Sequence, residues 1–466
     1  VNGVNDVIKF GDKIAVLANS TWAAMKGKKA LKATWTQDSK AESTAFHDET
    51  LLGLLNGDKF DTRRKDGDVI KAFAEADQVL ERTYETPFVP HNCMEPMNLF
   101  ANVTTDKIEL VGPIQTPAGT AGQVARMLGR DASEVTLEMT RMGGGFGRRL
   151  YGDFALEAAE VSHLAKKPVK VIFSREDDMA AGIYRPAIKY RIAASIKDGK
   201  LTGYHLKEAA INGNMYGLIP NFFPAGAIEN YQVDTANYKS NITTGAWRAP
   251  YTNVLASCEQ SFFDEIAEAM GVDRIKLHMD LLENVKGTTD ERIQYSPERL
   301  QGVIKKVVKE SNYGKEKDVY QGFAVYYCHN THVAEVADII MDNGVPVVKK
   351  VTVAVDCGIV VNPLGAKNQV VGGVIDGIGH SMYGEITFND GAPQSNNYDS
   401  YQLIRMLQTP QVDVHFIEND IAPTGLGEPT LPPVGGAVAN AIYKATGKRL
   451  TKMPYMNNMD VEPVVG

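Results

Sequence analysis

Along the chain the apolar positions follow two periods. Alternating runs are broken by Asp-Gly or Asn-Gly, and stripes spaced three and four apart are closed by glycine. Asp198-Gly199 lies between two β-type runs, and Asn343-Gly344 lies between Ala337–Met341 and the alternating Val347–Val355. Both dipeptides accept the positive φ of a two-residue turn and predict hairpins. After Asp153, the residues Phe154, Ala158, Val161 and Ala165 share one helical face. Like patterns predict helices around Phe262–Met270, ended by Gly271, and over Ala437–Thr446, ended by Gly447. Another is expected from Gln369 to Met382, and Ser296-Pro297 is suited to start one more. Hairpins interspersed with single helices, without regular strand–helix alternation, predict an α+β fold.

Composition narrows the picture. At 466 residues the chain exceeds the roughly 250–300 that one core supports. The charged, turn-rich stretch 285–320 is the expected lobe boundary, giving lobes of 39–284 and 285–466. Residues 1–38 read as the end of an upstream small α/β unit, because Val1 is no initiator and no domain obviously begins there. Hydrophobic residues at 44% and charged residues at 23% are ordinary for a globular protein. A net charge of -8 without a dense basic run disfavours nucleic acid and favours small-molecule partners. Cys93, Cys258, Cys328 and Cys357 lie far apart, which excludes an iron–sulfur or structural zinc pattern and places any electron-transfer cluster on another chain. No apolar run reaches the roughly 18–20 residues of a membrane-spanning helix.

Four segments carry candidate chemistry. Arg141–Arg149 reads RMGGGFGRR, where glycines allow close approach of the main chain to a ligand and the arginines suit phosphate or oxo groups. Its spacing fits neither a dinucleotide fingerprint nor a P-loop, and a plain tight turn explains the glycines equally well. Gly425–Pro433 reads GLGEPTLPP; Glu428, held in a rigid loop against an apolar helix, is a candidate general base with a raised pKa, although a loop glutamate is more often a cap or solvated. In the third segment, His91 and Glu95 read as structural polar residues, while Gln115, at a strand end before Thr116-Pro117, offers an amide to donate to an oxo group and accept from a hydroxyl. Trp247-Arg248-Ala249-Pro250-Tyr251 sets aromatics around a cation, suited to a planar heterocycle or a carbonyl, or to simple stacking. His329, His332 and Glu335 hint at a metal site, but strand alternation splits them across faces and favours structural roles.

In their order these segments resemble the molybdenum-binding subunit of the xanthine oxidase family. Met94-Glu95-Pro96, Gln115-Thr116-Pro117, Gly143–Arg149 and Arg248-Ala249-Pro250 carry the likeness, continued by Asp356-Cys357-Gly358, Asn362-Pro363, Gln369 with Gly372-Gly373, Gly427-Glu428-Pro429 and Asn440-Ala441-Ile442. Arg148-Arg149 and Tyr151-Gly152-Asp153 are closer to the isoquinoline 1-oxidoreductase branch and its aldehyde-oxidising relatives. The resemblance implies two elongated lobes of mixed sheets and helices, and oxidative hydroxylation of an N-heterocycle or aldehyde with oxygen from water. It further implies a molybdenum–pterin cofactor, with the cytosine dinucleotide as one form, in which the pterin rather than the protein holds the metal. Glu428 and Gln115 are then the catalytic pair. Gly144, Gly145, Phe146, Gly147, Arg148, Gln369 and Gly427 bind cofactor, and Trp247, Arg248 and Leu150 face substrate. Leu150 stands where xanthine oxidase has a second glutamate, which disfavours purines. The family's upstream Gly-Gln-Gly stretch is absent from these residues, so a further N-terminal portion or companion chain is expected to complete the site. The other expected partner is a small [2Fe–2S] subunit or a cytochrome, in a hetero-oligomer, with periplasmic residence. The competing readings are a non-catalytic scaffold derived from the same family and an unrelated α+β hydrolase, for which no nucleophile elbow is present.

Overall fold

The computed structural model describes residues 1–37, 39–213 and 220–459. Three sheets organise it. In the first, five strands run in the order Asp61–Asp66, Asn230–Tyr238, Lys200–Ile211, Ile188–Lys197, Gln78–Thr86. The second has the order Tyr320–Cys328, Thr331–Asp342, Val345–Asp356, Gln411–Phe416. The third and smaller one runs Val135–Met139, Ile108–Gly112, Asn98–Val103, Val169–Ile172. Each holds antiparallel pairs and one parallel pair, so the α+β expectation stands. The chain opens with a hairpin, Val4–Phe10 and Lys13–Ala18, followed by the helix Thr21–Ala30.

The two expected hairpins form where the dipeptides place them, with Asp198 and Gly199 at φ 50° and 70° and Asn343 and Gly344 at 50° and 84°. A further hairpin that the sequence did not announce joins Cys328 to Thr331 through His329 and Asn330, at φ 52° and 61°. Asp153–Ala165 forms where its stripe places it and Val434–Thr446 starts three residues ahead of its own. The helix predicted around Phe262–Met270 instead spans Leu255–Ala269, and Ser296-Pro297 does start a helix, Pro297–Glu310. The helix expected from Gln369 instead spans Pro363–Met382. Its onset is chemical: the Asn362 side chain accepts from the Gly365 amide at 3.0 Å, and Pro363 at the first helical position gives up no hydrogen bond.

Leu255–Ala269 is buried along nearly its whole length, because the five-stranded sheet, the second sheet and the helix Val434–Thr446 all pack on it. One continuous apolar cluster therefore runs from Tyr190 and Tyr204 in the first sheet to Val336 and Val353 in the second. A separate cluster lies between the small sheet and the helix Asp153–Ala165. Close approach fixes the C-terminal elements. A Cβ on Gly322 would lie 1.9 Å from the Ala437 carbonyl oxygen and 2.3 Å from the Ala441 nitrogen, so the helix rests directly on the strand backbone. On Pro363–Met382, Gly373 and Gly377 leave room for Thr430 and Val434, whose nearest atoms would be 2.3 and 2.4 Å from an added Cβ. The Glu428 loop is thereby seated against two helices and a sheet.

Gly322→Ala should lift the helix Val434–Thr446 from its strand and lower stability by about 3 kcal/mol or more, since the clash is with backbone and cannot be relieved by a rotamer change. A denaturant midpoint equal to that of the parent would show that the close approach does not hold the helix.

Candidate active site

The glycine loop is shaped from inside. Gly144, Phe146 and Gly147 have φ of 99°, 53° and 103°, and a Cβ on Gly147 would stand 2.2 Å from the Ala246 carbonyl oxygen. Arg149, fully buried, donates to the carbonyls of Gly144 at 2.7 Å, Glu95 at 2.8 Å and Pro113 at 3.4 Å, and to the Glu95 carboxylate at 3.1 Å. The same carboxylate accepts from the Gly143 amide at 2.8 Å. Burial raises the Glu95 pKa, but the Gly143 amide, Asn98 and Arg149 outweigh it and hold the group below the usual carboxylate range. Arg148 is also turned inward, with its guanidinium bidentate on Asp153 at 2.7 and 2.8 Å. For Arg148 and Arg149 this corrects the expectation that the loop's arginines meet phosphate or oxo groups: guanidiniums 2% and 0% exposed and paired with protein groups face away from a ligand, while Arg141 stays exposed.

Gln115 lies in the loop between the strand Ile108–Gly112 and the helix Pro117–Leu128. Its Oε1 accepts from the amides of Gly147 and Arg149, both at 3.2 Å. A Cβ on Gly145 would come within 2.7 Å of that oxygen. Anchoring the carbonyl fixes the amide flip, so the Nε2 donor is the end left without a protein acceptor among the described residues. Gln115 is thus a donor here, and the acceptor half of its expected role is taken by the loop. The amides of Gly144, Gly145 and Phe146 likewise donate to no acceptor among the described residues, and the Phe146 ring is 42% exposed. Leu150 is half-buried, and its carbonyl accepts from Thr116 Oγ1 at 2.7 Å.

The strip 247–249 ties this loop to the second lobe. The Arg248 amide donates to the Phe146 carbonyl at 3.0 Å. The Arg248 guanidinium grips the Gly427 carbonyl at 2.9 and 2.7 Å and pairs with Asp376 at 3.3 Å. The Ala249 amide, at φ 57°, donates to Glu428 Oε1 at 3.0 Å. Arg248 therefore clasps two loops, with its charge buried and paired. Trp247 is buried too, its indole N–H donating to the Pro90 carbonyl at 3.2 Å and its ring 5.0 Å from His380. It supports the wall from behind and does not form its surface. Gln369 is exposed on its helix, with Oε1 3.6 Å from where a Gly427 Cβ would be. The amides of Leu426, Gly427 and Glu428 have no protein acceptor among the described residues.

Glu428 itself is the principal surprise. Its Oε2 lies 2.7 Å from His329 Nε2. Burial pushes its pKa up, but the His329 and Ala249 hydrogen bonds and the nearby cations outweigh this, so the carboxyl is held below its ordinary value, opposite to the expected rise. His329, weighed from the sequence as a metal ligand beside His332 and Glu335 and set down as structural, is instead the neighbour of Glu428; the signal for its place was a histidine in a two-residue turn, normally Asn or Gly territory. His332 instead accepts from the Ser296 amide at 3.0 Å, and Glu335 is buried in the strand with both oxygens unpartnered. The three candidates thus go to separate environments. The donors of Gly144–Phe146, Gln115 and Leu426–Glu428 together suit a group rich in anionic or lone-pair acceptors, with glycine wherever main chain must approach it closely.

A profile described as a molybdopterin cofactor-binding domain matches residues 55–280, and a second of the same description matches residues 225–410. The chain is 29% identical, over 95% of its length, to a membrane-bound aldehyde dehydrogenase (pyrroloquinoline-quinone) of Gluconacetobacter polyoxogenes, of which it covers 62%. It is 26% identical, over 97% of its length, to isoquinoline 1-oxidoreductase subunit beta of Brevundimonas diminuta, of which it covers 61%. It therefore spans less than two thirds of these relatives. Quinoline 2-oxidoreductase from Pseudomonas putida 86 shares the fold at a TM-score of 0.78 and 12% identity, over 94% of this chain and 83% of that one. Aldehyde oxidoreductase from Desulfovibrio gigas does so at 0.78 and 15%, over 94% and 68%.

Arg149→Lys keeps the charge but cannot satisfy carbonyls on several sides, and should cost about 3 kcal/mol. Faster amide exchange confined to residues 143–147 is the expected signature; unchanged exchange there would mean the arginine does not shape the loop.

Proposed function

The chain belongs to the molybdopterin cofactor-binding family as a molybdenum subunit of the xanthine oxidase type, and on that footing we propose that it carries out oxidative hydroxylation of an N-heterocyclic aromatic or aldehyde substrate. One observation carries the proposal: a carboxylate, Glu428, is fixed by the same strip of chain that hydrogen-bonds the glycine loop. The residues fit a molybdenum–pterin group, since the Gly144–Phe146 and Leu426–Glu428 amides, which have no acceptor among the described residues, and the Gln115 Nε2 supply donors for its anionic or lone-pair ligands. When bound, that group supplies two-electron oxidation of carbon, with water as the oxygen source.

The chain's own residues then have distinct tasks. Glu428 is ionised throughout the neutral range, because its pKa is lowered, and accepts a proton from the attacking oxygen at Oε2 or at the remaining lone pair of Oε1. Gln115 donates from Nε2 to an acceptor on the cofactor, its direction set by the two amides that hold its oxygen. Gly144, Gly145 and Phe146 present main-chain donors, and Gln369 with Gly427 borders the pterin. Phe146 and Leu150 give the substrate an apolar, uncharged approach, which suits a neutral aromatic or aldehyde better than a purine. Arg248 positions Gly427 and Glu428 and does not contact substrate. A companion iron–sulfur subunit or cytochrome as electron acceptor, and a further portion or chain completing the cofactor site, belong to the same proposal. No observation favours the scaffold alternative.

Glu428→Gln should abolish turnover, by at least the hundredfold typical of a lost general base, with molybdenum content near that of the parent. Equal loss of metal would make Glu428 structural. Gln115→Ala should slow reduction of the metal by substrate, and an unchanged rate would remove the assigned contact.

A further inference from the structure

The turn that joins Tyr320–Cys328 to Thr331–Asp342 puts His329 in the left-handed region, φ 52°, a conformation that costs a non-glycine residue about 1 kcal/mol. A side chain with no task would not hold that place against Asn or Gly. The imidazole is engaged on every side. Nε2 lies 2.7 Å from Glu428 Oε2 and 3.3 Å from the Tyr251 hydroxyl, and the ring stacks on Tyr251 with centroids 5.3 Å apart and planes at 20°. Nδ1 lies 2.7 Å from Cys328 Sγ, which is itself 3.2 Å from Thr252 Oγ1. The loop bearing Glu428 is laid on this turn: the Gly425 amide donates to the His329 carbonyl at 3.1 Å, and a Cβ on Gly425 would be 2.8 Å from His329 Cβ.

We propose that His329 is the positioning residue of Glu428, aligning the carboxylate through Nε2 while Cys328 and Tyr251 fix the imidazole from its other nitrogen and its face; this rests on Glu428 being the proton acceptor. With Oε1 on the Ala249 amide and Oε2 on His329, rotation of the carboxylate breaks both bonds at once. The groups facing the imidazole are Cys328 on its own strand, Glu428 on the C-terminal loop and Tyr251 ahead of the helix Leu255–Ala269; Arg248 acts on the carboxylate from the Gly427 side. Burial lowers the His329 pKa, but its bonds to Cys328 and Glu428 more than reverse this and push it up to about 10. The signs follow. Glu428, with its pKa lowered, stays ionised into the acid range and loses its charge only below the usual glutamate value; His329, with its pKa raised, keeps its proton through neutrality and loses it as pH rises toward about 10.

Two measurements on the purified full-length protein test this. In 15N-histidine-labelled protein, one imidazolium should remain charged above pH 8, vanish in His329→Gln, and titrate at least one pH unit lower in Glu428→Gln. In the pH profile of kcat/KM, His329→Ala should move the acid limb upward by about one pH unit and lower the plateau by about tenfold. His329→Gln, whose amide donates from the same place, should restore most of both losses. An imidazole that titrates near 6.5 in the parent, or that ignores Glu428→Gln, overturns the pairing whatever the enzyme does. An unmoved acid limb in His329→Ala, or a His329→Gln no better than His329→Ala at equal metal content, overturns the positioning role. If the imidazolium behaves as stated but no hydroxylation is found, the pairing stands and only the assigned activity falls.

Discussion

The peptide groups of Arg248 and Ala249 are where the two lobes are hydrogen-bonded to one strip of backbone. The first donates to Phe146 in the glycine loop, the second to Glu428 in the C-terminal loop, 3.0 Å in each case. Adjacent amides of a planar, nearly inextensible chain cannot move independently by more than a fraction of a bond length. The separation of the donor loop and the carboxylate is therefore bounded by one residue of backbone, with Ala249 at φ 57° setting the direction of its amide, and the Arg248 guanidinium on the Gly427 carbonyl keeps the second attachment from fraying. Behind this strip stands the shared core on Leu255–Ala269, so that a disturbance in either lobe reaches the site only through close-packed elements.

The parts of the fold legible in the sequence were those with local causes. Asp198-Gly199, Asn343-Gly344, Gly271 and Gly447 announce turns and helix ends because positive φ is a property of a few residues. The hairpin from Cys328 to Thr331 escaped because His329 is not a turn-selecting residue; its partner, Glu428, lies far along the chain. The onset of Pro363–Met382 was written in Asn362-Pro363 but masked by exposed Val361 and Leu364, which blur the stripe. The candidate site was legible as a set of motifs, and Gln115, Gly144–Gly147, Arg248 and Glu428 do fall together. What local sequence does not give is the direction in which a side chain faces. Arg148 and Arg149 look like ligand-binding cations, yet Arg149 is used by Glu95 and Pro113, 54 and 36 residues away. The sign of the Glu428 shift fails for the same reason: burial alone pushes it up, and only the fold brings a histidine to reverse it.

Because Arg148 and Arg149 turn inward and Arg141, at the start of the loop, is the arginine left exposed, the field at Gly144–Phe146 comes mainly from peptide dipoles. Dipoles do not titrate, and their short-range field is little affected by counterions over the roughly 8 Å Debye length of physiological salt. The loop's share of the potential is therefore little changed by electrolyte or pH, and the titrating share of the site lies with the Glu428–His329 pair. Selectivity then resides in contact geometry: a guest has to enter fully before it experiences the loop at all.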